Sequence, residues 1–560
     1  MKEVIRKYAL QNAVKYNGKA SVSAIVGKVL KELPSLKSNI SKITDEIRNI
    51  VEEVNLLSLE DQIRELKRSY PKLLEEKKEK KRELPELKNK KNIVMRFAPS
   101  PSGPLHIGHA YVLTLNSEYC KKYKGKLILR IEDTNPENIY QDAYKLIEED
   151  VKWLTNNKIS KVIIQSDRLE IYYDYAEKLL QQENAYVCTC DQEKFKELII
   201  KKIACPCRNL PIKEHLLRFD KMFIEYKPGE AVLRIKTNIQ DPNPAMRDWP
   251  ALRINDHEHP RTKTKYKVWP LMNFAVAIDD HELKITHSIR GKDHIDNAKR
   301  QQHIFKYLKW NLLEDMFVGR INFIGLNLST TETRKLIDYK KFSGWDDIKL
   351  PFLLALKRRG YQPEAFIKYA LDMGINQSDK TVTKEEFFKI LNAHNKDIIE
   401  PKSNRYFFVD NPVKIKIENA PSRNVKIALH PDFPKRGYRK FKTKNEFYIS
   451  KSDFDEIREN NLYRLMGCLN FIKKGNKIMF DSLERNKFKE EGYRIMHWLP
   501  VSKDLINVEV LMDDGKIIKG IAESNIKKLK PGTIVQFERR FFCKLDREEK
   551  DKLIFWYTHK

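Results

Sequence analysis

The spacing of apolar residues changes along the chain, and each change predicts a different kind of domain. Near the N-terminus, apolar residues such as Ile5, Leu10 and Val14 recur at helical spacing. This pattern predicts an N-terminal helical domain over residues 1–91. The last part of the segment, 73–84, is a charged run without an apolar stripe, which is typical of a solvated linker or an exposed helix.

From residue 92 onward, short apolar runs alternate with amphipathic helical segments. This order predicts a parallel sheet with right-handed crossovers. The predicted strands and helices alternate over 93–97, 107–123, 126–131, 137–154, 161–165 and 170–183. Ligands of such sheets bind beyond the carboxyl ends of the strands. We therefore expect a functional site at that edge of a first half-domain, 92–185.

The alternation stops near residue 186 and returns near residue 264. Residues 186–263 contain many prolines and two cysteine pairs, and they predict an irregular insertion between two halves of the sheet. The second half, 264–330, is predicted to supply further strands. These strands are 274–278, 285–290 and 319–323. Residues 331–395 show helical spacing again, and the short strand-like runs of 396–560 predict antiparallel β-barrels.

The charge composition indicates the kind of partner that the protein binds. The 560 residues include 107 Lys and Arg against 78 Asp and Glu, a formal net charge of +29. Such an excess favours a nucleic-acid partner, although a generally lysine-rich proteome produces the same excess. Seven cysteines are too few for a disulfide scaffold in a chain of this length, and no apolar run approaches the length of a membrane span. We expect a cytoplasmic protein without a membrane partner.

The stretch from Pro99 to His109 has the features of a phosphate-binding corner. It follows a predicted buried strand and opens a predicted helix, whose unpaired N–H groups and dipole attract anions. His106 and His109 share one face of that helix, and Gly108 lets a flat group approach the backbone. An ordinary strand–turn–helix corner with two solvent histidines has the same short pattern, so the motif alone leaves both interpretations open.

Two close cysteine pairs fall in the predicted insertion. Cys188 and Cys190 form the first pair, and Cys205 and Cys207 form the second. Two such pairs separated by a loop are typical of a zinc site with four thiolate ligands. Reduced structural cysteines are the alternative. Because four cysteines leave no open coordination position, any zinc here is expected to be structural.

Further stretches make the phosphate-binding corner recognisable. Residues 96–109 resemble the HIGH motif of class I aminoacyl-tRNA synthetases. Other stretches along the whole chain resemble an archaeal-type glutamyl-tRNA synthetase. These stretches are 129–134, 186–190, 247–249, 273–280 and 286–293, and the resemblance extends from 8–14 to 557–560. The resemblance implies a Rossmann-type α/β catalytic domain, an inserted domain that binds the tRNA acceptor end, a helical connective domain and C-terminal β-barrels that read the anticodon.

That family activates glutamate with ATP and Mg²⁺ to glutamyl-adenylate and transfers the glutamyl group to the 3′ end of tRNA(Glu). The resemblance implies that His106 and His109 hold the triphosphate and stabilise developing negative charge, while Gly108 makes room for adenine. The residues that it implies for ATP binding are Pro99, Ser100, Pro101, Ser102, Gly103, Pro104, Leu105, His106, Ile107, Gly108, His109, Asp293, Arg334 and Lys335. It also implies a monomer, and it leaves open whether tRNA(Gln) is a second substrate.

By the same resemblance, the amino-acid pocket needs cations for the γ-carboxylate and an anion for the α-ammonium. Arg96 and Arg290 match the family positions for the carboxylate, and Glu132 matches the position for the ammonium. Ala98 and Ser100 are expected to line the floor of the pocket. Surface ion pairs are the commoner fate of such charged residues. A shared position at the strand ends of one sheet favours the pocket.

Two residues of this pocket bear on the choice of amino acid. Related glutaminyl-tRNA synthetases typically carry an uncharged residue in place of Arg290, since a buried arginine facing a neutral amide would lack its counter-charge. Arg290 therefore favours glutamate, with a glutaminyl enzyme as the alternative. Met272, also expected in the pocket, stands where many relatives have tyrosine, so a side-chain hydroxyl is missing.

The second ATP-binding loop departs from the family pattern. Residues 328–336 match a loop that usually carries a lysine, but Glu332 occupies the lysine position. A carboxylate beside a triphosphate repels it. Arg334 and Lys335 are close in sequence and are the candidates to replace the lysine. A catalytically degenerate paralogue that binds tRNA is the alternative that Glu332 raises.

Overall fold

The computed structural model describes residues 1–15, 18–33, 35, 40–70, 73 and 83–560. The chain divides into two units, Met1–Glu83 and Leu84–Lys560. Residues 74–82 of the charged run lie outside the described part of the chain. Among the described residues, no helix combines the length and the apolar composition that crossing a membrane requires.

Helices build the first unit, in agreement with its apolar spacing. In its described part these are α1 (Lys2–Lys15), α2 (Val22–Glu32), α3 (Ile40–Leu56) and α4 (Leu59–Ser69). Their apolar faces form a core that includes Ile5, Leu10 and Ile47. Residues 84–91 are not helical, contrary to the helical pattern predicted up to residue 91. Leu84 and Leu87 instead pack into the core of the second unit. The spacing of apolar residues does not show which core a residue joins.

The second unit begins with the predicted alternation. Its first elements are β1 (Val94–Phe97), α5 (Ile107–Lys122), β2 (Lys126–Ile131), α6 (Ala143–Leu154), β3 (Lys161–Ile164) and α7 (Leu169–Gln181). The inserted elements follow as β4 (Ala185–Cys188), α8 (Gln192–Ile200), α9 (Ile212–Ile224), β5 (Val232–Ile235), β6 (Pro250–Ile254) and β7 (Val268–Pro270). The insertion is ordered rather than irregular, because β4 to β7 form an antiparallel sheet whose apolar side chains, such as Leu233 and Trp269, are buried.

The elements after the insertion complete the parallel sheet. They are α10 (Met272–Glu282), β8 (His287–Gly291), α11 (Ile295–Tyr307), β9 (Glu314–Val318), β10 (Ile321–Ile324), α12 (Thr330–Asp338), α13 (Leu353–Arg359), α14 (Pro363–Met373), β11 (Lys380–Thr383) and α15 (Lys384–Ile399). Within residues 84–560 the sheet has the strand order β3-β2-β1-β8-β9, and all neighbours are parallel. The carboxyl ends of these strands therefore share one edge.

One predicted strand in this region was wrong, and another was assigned to the wrong sheet. Residues 274–278 belong to helix α10, which is buried over most of its surface. A short continuous apolar run does not distinguish a buried strand from a buried helix. The run 319–323 does lead into a strand, β10, but β10 pairs with β11 in a separate small sheet. The strand that pairs with β8 at this edge of the parallel sheet is β9, whose half-buried residues carry a weak apolar pattern.

Strands dominate from Asn404 to the end, as predicted. They are β12 (Asn404–Tyr406), β13 (Phe408–Asp410), β14 (Pro412–Glu418), β15 (Arg423–Ala428), β16 (Tyr438–Thr443), β17 (Glu446–Ser450), β18 (Leu462–Leu465), β19 (Asn470–Lys474), β20 (Lys477–Ser482), β21 (Gly492–Met496), β22 (Leu499–Pro500), β23 (Ile506–Leu511), β24 (Ile517–Ala522), β25 (Ile534–Phe537), β26 (Phe541–Glu549) and β27 (Lys552–His559), with short helices α16 (Lys451–Asp455) and α17 (Arg485–Glu491). In the described chain fourteen of these strands form two seven-stranded sheets that close into near-barrels, while β15 and β16 form a separate antiparallel pair. Several strand pairs of the two large sheets are parallel rather than antiparallel.

Candidate active site

Three arginines lie near the carboxyl ends of neighbouring strands, at one edge of the parallel sheet. Arg96 lies in β1, Arg130 in β2 and Arg290 in β8, and the three side chains are buried. Parallel pairing brings them side by side because β1 lies between β2 and β8. Buried arginines are rare unless they are paired, so the acidic residues that meet them decide what this edge can bind.

Asp280, near the end of α10, joins two of these arginines. Its carboxylate accepts hydrogen bonds from Arg96 Nε at 2.9 Å and from Arg130 Nη1 at 2.6 Å. Arg96 Nη2 adds a second contact at 3.3 Å. The two guanidinium groups hold the pKa of the Asp280 carboxyl well below its usual range, against the opposing effect of burial. Asp280 is thus a fixed anion that orients Arg96.

The network continues to Glu132 and Asp279. Arg130 Nη2 donates to Glu132 Oε1 at 2.9 Å, and Arg168 Nε donates to Asp279 Oδ1 at 2.8 Å. Glu132 keeps some exposure and is the member that an incoming ammonium can reach. If the negative charge of Glu132 pairs with an incoming ammonium group, three arginines of the network are left to pair with two aspartates. The arginines are Arg96, Arg130 and Arg168, and the aspartates are Asp279 and Asp280. One buried positive charge is then left for an anionic ligand.

Arg290 has its own partners and faces the same edge. Its guanidinium donates to Asp315 at 2.6 Å, to Gln301 at 2.9 Å and to Ser288 at 3.1 Å. Burial, together with repulsion from Arg96, lowers the pKa of Arg290. A carboxylate that binds near both arginines relieves this repulsion, so the arrangement favours an anionic side chain over a neutral one.

The remaining residues predicted for the amino-acid pocket lie on the loop after β1 and at the start of α10. The loop after β1 carries Ala98, which is half-buried, and Ser100, which is exposed. The backbone N–H of Glu132 donates to the carbonyl of Pro99 at 3.0 Å, which ties this loop to the end of β2. Met272 is the first residue of α10, the helix that carries Asp280 towards its other end.

His106 and His109 cap the helix that follows the first strand. Nδ1 of His106 accepts the backbone N–H groups of Gly108 at 3.1 Å and His109 at 3.4 Å. Nδ1 of His109 accepts the backbone N–H of His106 at 3.3 Å. The two rings stack with centroids 3.7 Å apart. The histidines are therefore structural caps of α5 as well as candidate ligands.

Both rings are neutral donors at pH 7. Desolvation lowers the pKa of His109 to about 4, and desolvation together with the neighbouring His109 keeps the pKa of His106 well below its usual range. Because Nδ1 of each ring accepts a hydrogen bond, the proton of each neutral ring is on Nε2. Each ring can donate that N–H to a ligand oxygen without adding a positive charge.

A cleft of about 740 Å³ opens beside these rings. It brings together residues from α5, from the loop after β8 and from the segment between β9 and α12. Its lining residues are His106, Gly108, His109, Tyr111, Val112, Gly291, Asp293, Val318, Gly319, Arg320, Ile321, Asn322, Phe323, Leu326, Leu328 and Ser329. The predicted ATP residues His106, Gly108, His109 and Asp293 thus share one cavity, which has the size that a small-molecule site requires.

The second predicted ATP loop lies against the first. Ser102 and Thr330 are joined by a hydrogen bond of 3.0 Å, and a Cβ at Gly103 would lie 3.0 Å from Thr330. Glu332 is in the first turn of α12, where its N–H donates to Ser329 Oγ at 3.2 Å. A carboxylate is favourable at a helix N-terminus, which gives Glu332 a structural role. Arg334 and Lys335 are absent from the residues that line the described cleft.

The four predicted metal-ligand cysteines meet at the end of β4. Their sulfur atoms all lie within 4.8 Å of one another, with Cys188 and Cys205 3.8 Å apart and Cys190 and Cys207 3.7 Å apart. A tetrahedral zinc with Zn–S bonds of about 2.3 Å needs sulfur separations of about 3.8 Å. Arg218 Nη1 also lies 3.3 Å from Cys207 Sγ, as expected beside a thiolate.

Several residues of the ion network were not identified from the sequence. Arg130, Asp280 and Asp315 each contact a predicted site residue, and Asp279 pairs with Arg130 and Arg168. The stretches that carry the resemblance include Arg130, Asp279 and Asp280, but no role was assigned to them. One signal was available: two consecutive aspartates end the apolar run of α10, and buried carboxylates require a partner. Had that run been identified as a helix, the two aspartates would have been expected at the edge of the sheet.

The basic and aromatic run at 435–442 is only partly a surface. In β16, Tyr438, Lys440 and Lys442 are exposed, whereas Arg439 and Phe441 alternate into the core. Arg439 is fully buried and pairs with Glu523 at 2.9 Å and Glu538 at 2.6 Å. The strand period of two therefore halves the number of residues available to a nucleic acid.

Three family models match this chain. Residues 92–398 match the family model for tRNA synthetases class I (E and Q), catalytic domain. Residues 403–486 and 495–546 match two models for the anti-codon binding domain of the same synthetases. The catalytic match covers the parallel sheet, the insertion and the cleft.

Curated relatives match along the whole chain. A protein of Pyrococcus furiosus named glutamate–tRNA ligase is 44% identical, with 99% of each chain covered. Proteins of the same name from Methanocaldococcus jannaschii and Thermococcus kodakarensis are 43% and 44% identical, with 100% of each chain covered.

Proposed function

The chain belongs to the class I tRNA synthetases of the glutamate and glutamine family, in the group whose curated members are named glutamate–tRNA ligases, and on that premise we propose that it joins L-glutamate to tRNA(Glu). The observation that carries the choice of glutamate is the sheet-edge network of buried arginines. It has one positive charge in excess once Glu132 binds the α-ammonium, and the γ-carboxylate of glutamate neutralises that charge.

The reaction requires little covalent chemistry from the protein. An oxygen of the glutamate α-carboxylate attacks the α-phosphorus of ATP, supplied as its Mg²⁺ complex, and pyrophosphate leaves with the electrons of the broken P–O bond. The 3′-terminal adenosine of tRNA then attacks the mixed anhydride, and AMP leaves. Arg96, Arg290 and Glu132 orient glutamate, and the Nε2–H groups of His106 and His109 stabilise the charge on the phosphates.

Glutamine is the less favourable substrate for a physical reason. Its neutral amide would leave the one excess positive charge of the arginine network without a counter-charge in a buried site, which costs several kcal/mol. Nothing in the relatives supports a glutaminyl enzyme, since they share the name glutamate–tRNA ligase over their full length. Whether tRNA(Gln) also accepts glutamate depends on the anticodon-binding sheets.

ATP–pyrophosphate exchange tests this function. We expect exchange with glutamate, and much weaker exchange with glutamine, with tRNA both present and absent. Exchange with glutamine alone would contradict the choice of amino acid. Absence of exchange with either amino acid under any condition would favour the degenerate tRNA-binding paralogue.

Asp280→Asn tests the orientation of Arg96. The amide cannot balance the charges of Arg96 and Arg130, so we expect KM for glutamate to rise by about tenfold or more while KM for ATP stays near that of the unmodified protein. The free energy of unfolding should fall by about 3 kcal/mol. Enzyme kinetics and denaturant unfolding measure both. Equal increases in both KM values would assign Asp280 to the fold alone.

We further propose that the four cysteines hold a structural zinc ion. Freshly purified protein, never exposed to chelator, should contain about one zinc per chain by elemental analysis. Cys205→Ser should lose the metal and lower the melting temperature. Cys468→Ser, a change at a buried cysteine outside the cluster, is the matched control and should retain the zinc. Absence of zinc in the fresh protein would contradict the proposal.

The partners follow from the same family. The C-terminal sheets match anti-codon binding models, and we propose that they bind the tRNA anticodon while the inserted antiparallel sheet binds the acceptor end. Exposed cations such as Lys440 and Lys442 suit the tRNA backbone. A monomeric, cytoplasmic enzyme remains our expectation for this chain.

A further inference from the structure

Asp150 is a buried carboxylic acid that the mechanism above does not use. It lies on the apolar face of α6, and only 2% of its surface is exposed. The ion pairs of α6 in the described structure are made by other residues of this helix, such as Glu148 with Lys152. A carboxylate is rarely buried unless it is paired or hydrogen-bonded, so the contact that Asp150 does make is informative.

That contact joins Asp150 to the corner before α5. Its Oδ2 accepts the backbone N–H of Leu105 at 3.1 Å, and Leu105 is itself fully buried. Leu105 immediately precedes His106, the N-cap residue of α5. The carboxylate therefore holds the backbone one residue before the histidine whose Nε2–H we assign to the phosphates.

Two backbone hydrogen bonds hold the other side of this segment. The carbonyl of Leu105 accepts the N–H of Leu353 at 2.8 Å, and the N–H of Ile107 donates to the carbonyl of Pro351 at 3.2 Å. Both partners belong to the segment that leads into α13. The corner is thus held between α6 and the start of α13, and of these three hydrogen bonds only the one to Asp150 depends on a protonation state.

The surroundings of Asp150 bring its protonation into the neutral range. Burial raises the pKa of Asp150 to about 7, although the hydrogen bond from Leu105 and the charge of Lys357 in α13 lower it; Glu149 in α6 raises it further. The two histidines of the corner have lowered pKa values and are neutral at pH 7. Asp150 therefore changes charge between about pH 6 and pH 8, while the histidines do not.

We propose that Asp150 is a positioning residue for adenylate formation: its carboxylate fixes Leu105, and through Leu105 it fixes the Nε2–H of His106 towards the phosphates. The inference rests on the proposed function for the reaction itself. A carboxylate accepts a stronger hydrogen bond than a carboxylic acid, because the bond is charge-assisted. Protonation of Asp150 should therefore loosen the corner and slow the chemical step, with little effect on KM for glutamate.

The pH dependence of single-turnover adenylate formation tests this role. We expect the rate constant of the unmodified protein to fall by about 3- to 10-fold from pH 8 to pH 6, as the charge-assisted bond becomes a neutral one. Asp150→Asn keeps an acceptor for Leu105 but cannot gain a proton, so its rate should be lower at pH 8 and should lack this fall. Both proteins meet the same ionisation of ATP and glutamate, so a difference between the two profiles belongs to Asp150.

Two surface variants should shift the profile in opposite directions. Lys357→Gln removes a cation that stabilises the ionised carboxylate, so the midpoint should move to higher pH. Glu149→Gln removes an anion that destabilises it, so the midpoint should move to lower pH. Both side chains are exposed, and the rate on the high-pH plateau should stay near that of the unmodified protein.

Two measurements without substrate keep this inference separate from the proposed function. Hydrogen exchange of the peptide that contains Leu105 should be faster in Asp150→Ala than in the unmodified protein and close to unmodified in Asp150→Asn. The pKa of Asp150 is raised by folding, so the folded protein holds a proton that the unfolded chain releases. From pH 6 to pH 8, the free energy of unfolding of the unmodified protein should therefore fall relative to that of Asp150→Asn.

The outcomes distinguish the two proposals. If the unmodified protein forms no adenylate with glutamate, the proposed function fails, while hydrogen exchange and unfolding still test the contact of Asp150 with the corner. Identical pH profiles in the unmodified protein and Asp150→Asn would overturn the Asp150 proposal. So would an Asp150→Ala protein with the melting temperature, hydrogen exchange and rate of the unmodified protein. If Asp150→Ala does not fold, Asp150→Asn and the two surface variants decide the question.

Discussion

Arg290→Ala is expected to lower kcat/KM for glutamate activation by about 10²- to 10³-fold. The substitution removes a buried guanidinium that we assign to the γ-carboxylate, and losing one partner of a buried charge pair costs about 2–5 kcal/mol. Pyrophosphate exchange at varied glutamate concentration measures the loss. Activation of glutamine should change far less, so the preference for glutamate over glutamine should shrink.

A double variant separates the loss of glutamate binding from a loss of stability. Arg290→Ala leaves Asp315 without its arginine, which destabilises the protein independently of any substrate. Arg290→Ala/Asp315→Ala removes that unpaired charge, so it should regain stability without regaining glutamate activation. Near-normal kcat/KM for glutamate in a folded Arg290→Ala protein would show that the pocket assignment is wrong.

Substitution of His106 is expected to have the second large effect. His106→Asn keeps an acceptor for the N–H groups of Gly108 and His109, because asparagine is a good N-cap, but it removes the Nε2–H donor. We expect normal stability and a loss of about 10²- to 10³-fold in kcat for adenylate formation, as for removal of an oxyanion-stabilising donor. Single-turnover formation of adenylate is the measurement.

A second variant at His106 removes the helix-capping acceptor and keeps the donor. His106→Gln places an amide N–H near the position of Nε2 but lacks the acceptor at Nδ1, so it should lose about 1 kcal/mol of stability and keep more of the activity. Equal activity in the two variants would assign His106 to helix capping alone. The resemblance implies that relatives carry a lysine at the position of Glu332, so the loss in His106→Asn is expected to exceed the loss from the same change in those relatives.

Much of the architecture was predictable from local pattern. The strands β1, β2 and β3 and the helices between them alternate with the expected periods, and the predicted bounds agree closely for β2 and for α5. Errors occurred where the pattern is ambiguous. The apolar run 274–278 reads equally as strand or helix, and the ordered insertion lacks long periodic segments because its strands are short.

The site was predictable only as a set of candidates. His106, His109, Arg96 and Arg290 were found because they stand in recognisable motifs at predicted strand ends. Their partners were not, because a contact such as Arg96 with Asp280 joins residues 184 positions apart. Arg320 stands in no motif that the sequence analysis used, and only the fold brings it to the lining of the cleft.

The sequence by itself determined the class of the protein: the parallel α/β core, the strand-rich C-terminal region, the HIGH corner, the four cysteines and the substitution at Glu332. These features depend on local spacing and on short motifs, which involve residues close together in the sequence. Only the tertiary structure decided which charges are paired, that one positive charge is left for an anion and which residues line the cleft. The reason is that burial and pairing of charges are set by contacts between distant strands and helices, which no local pattern records.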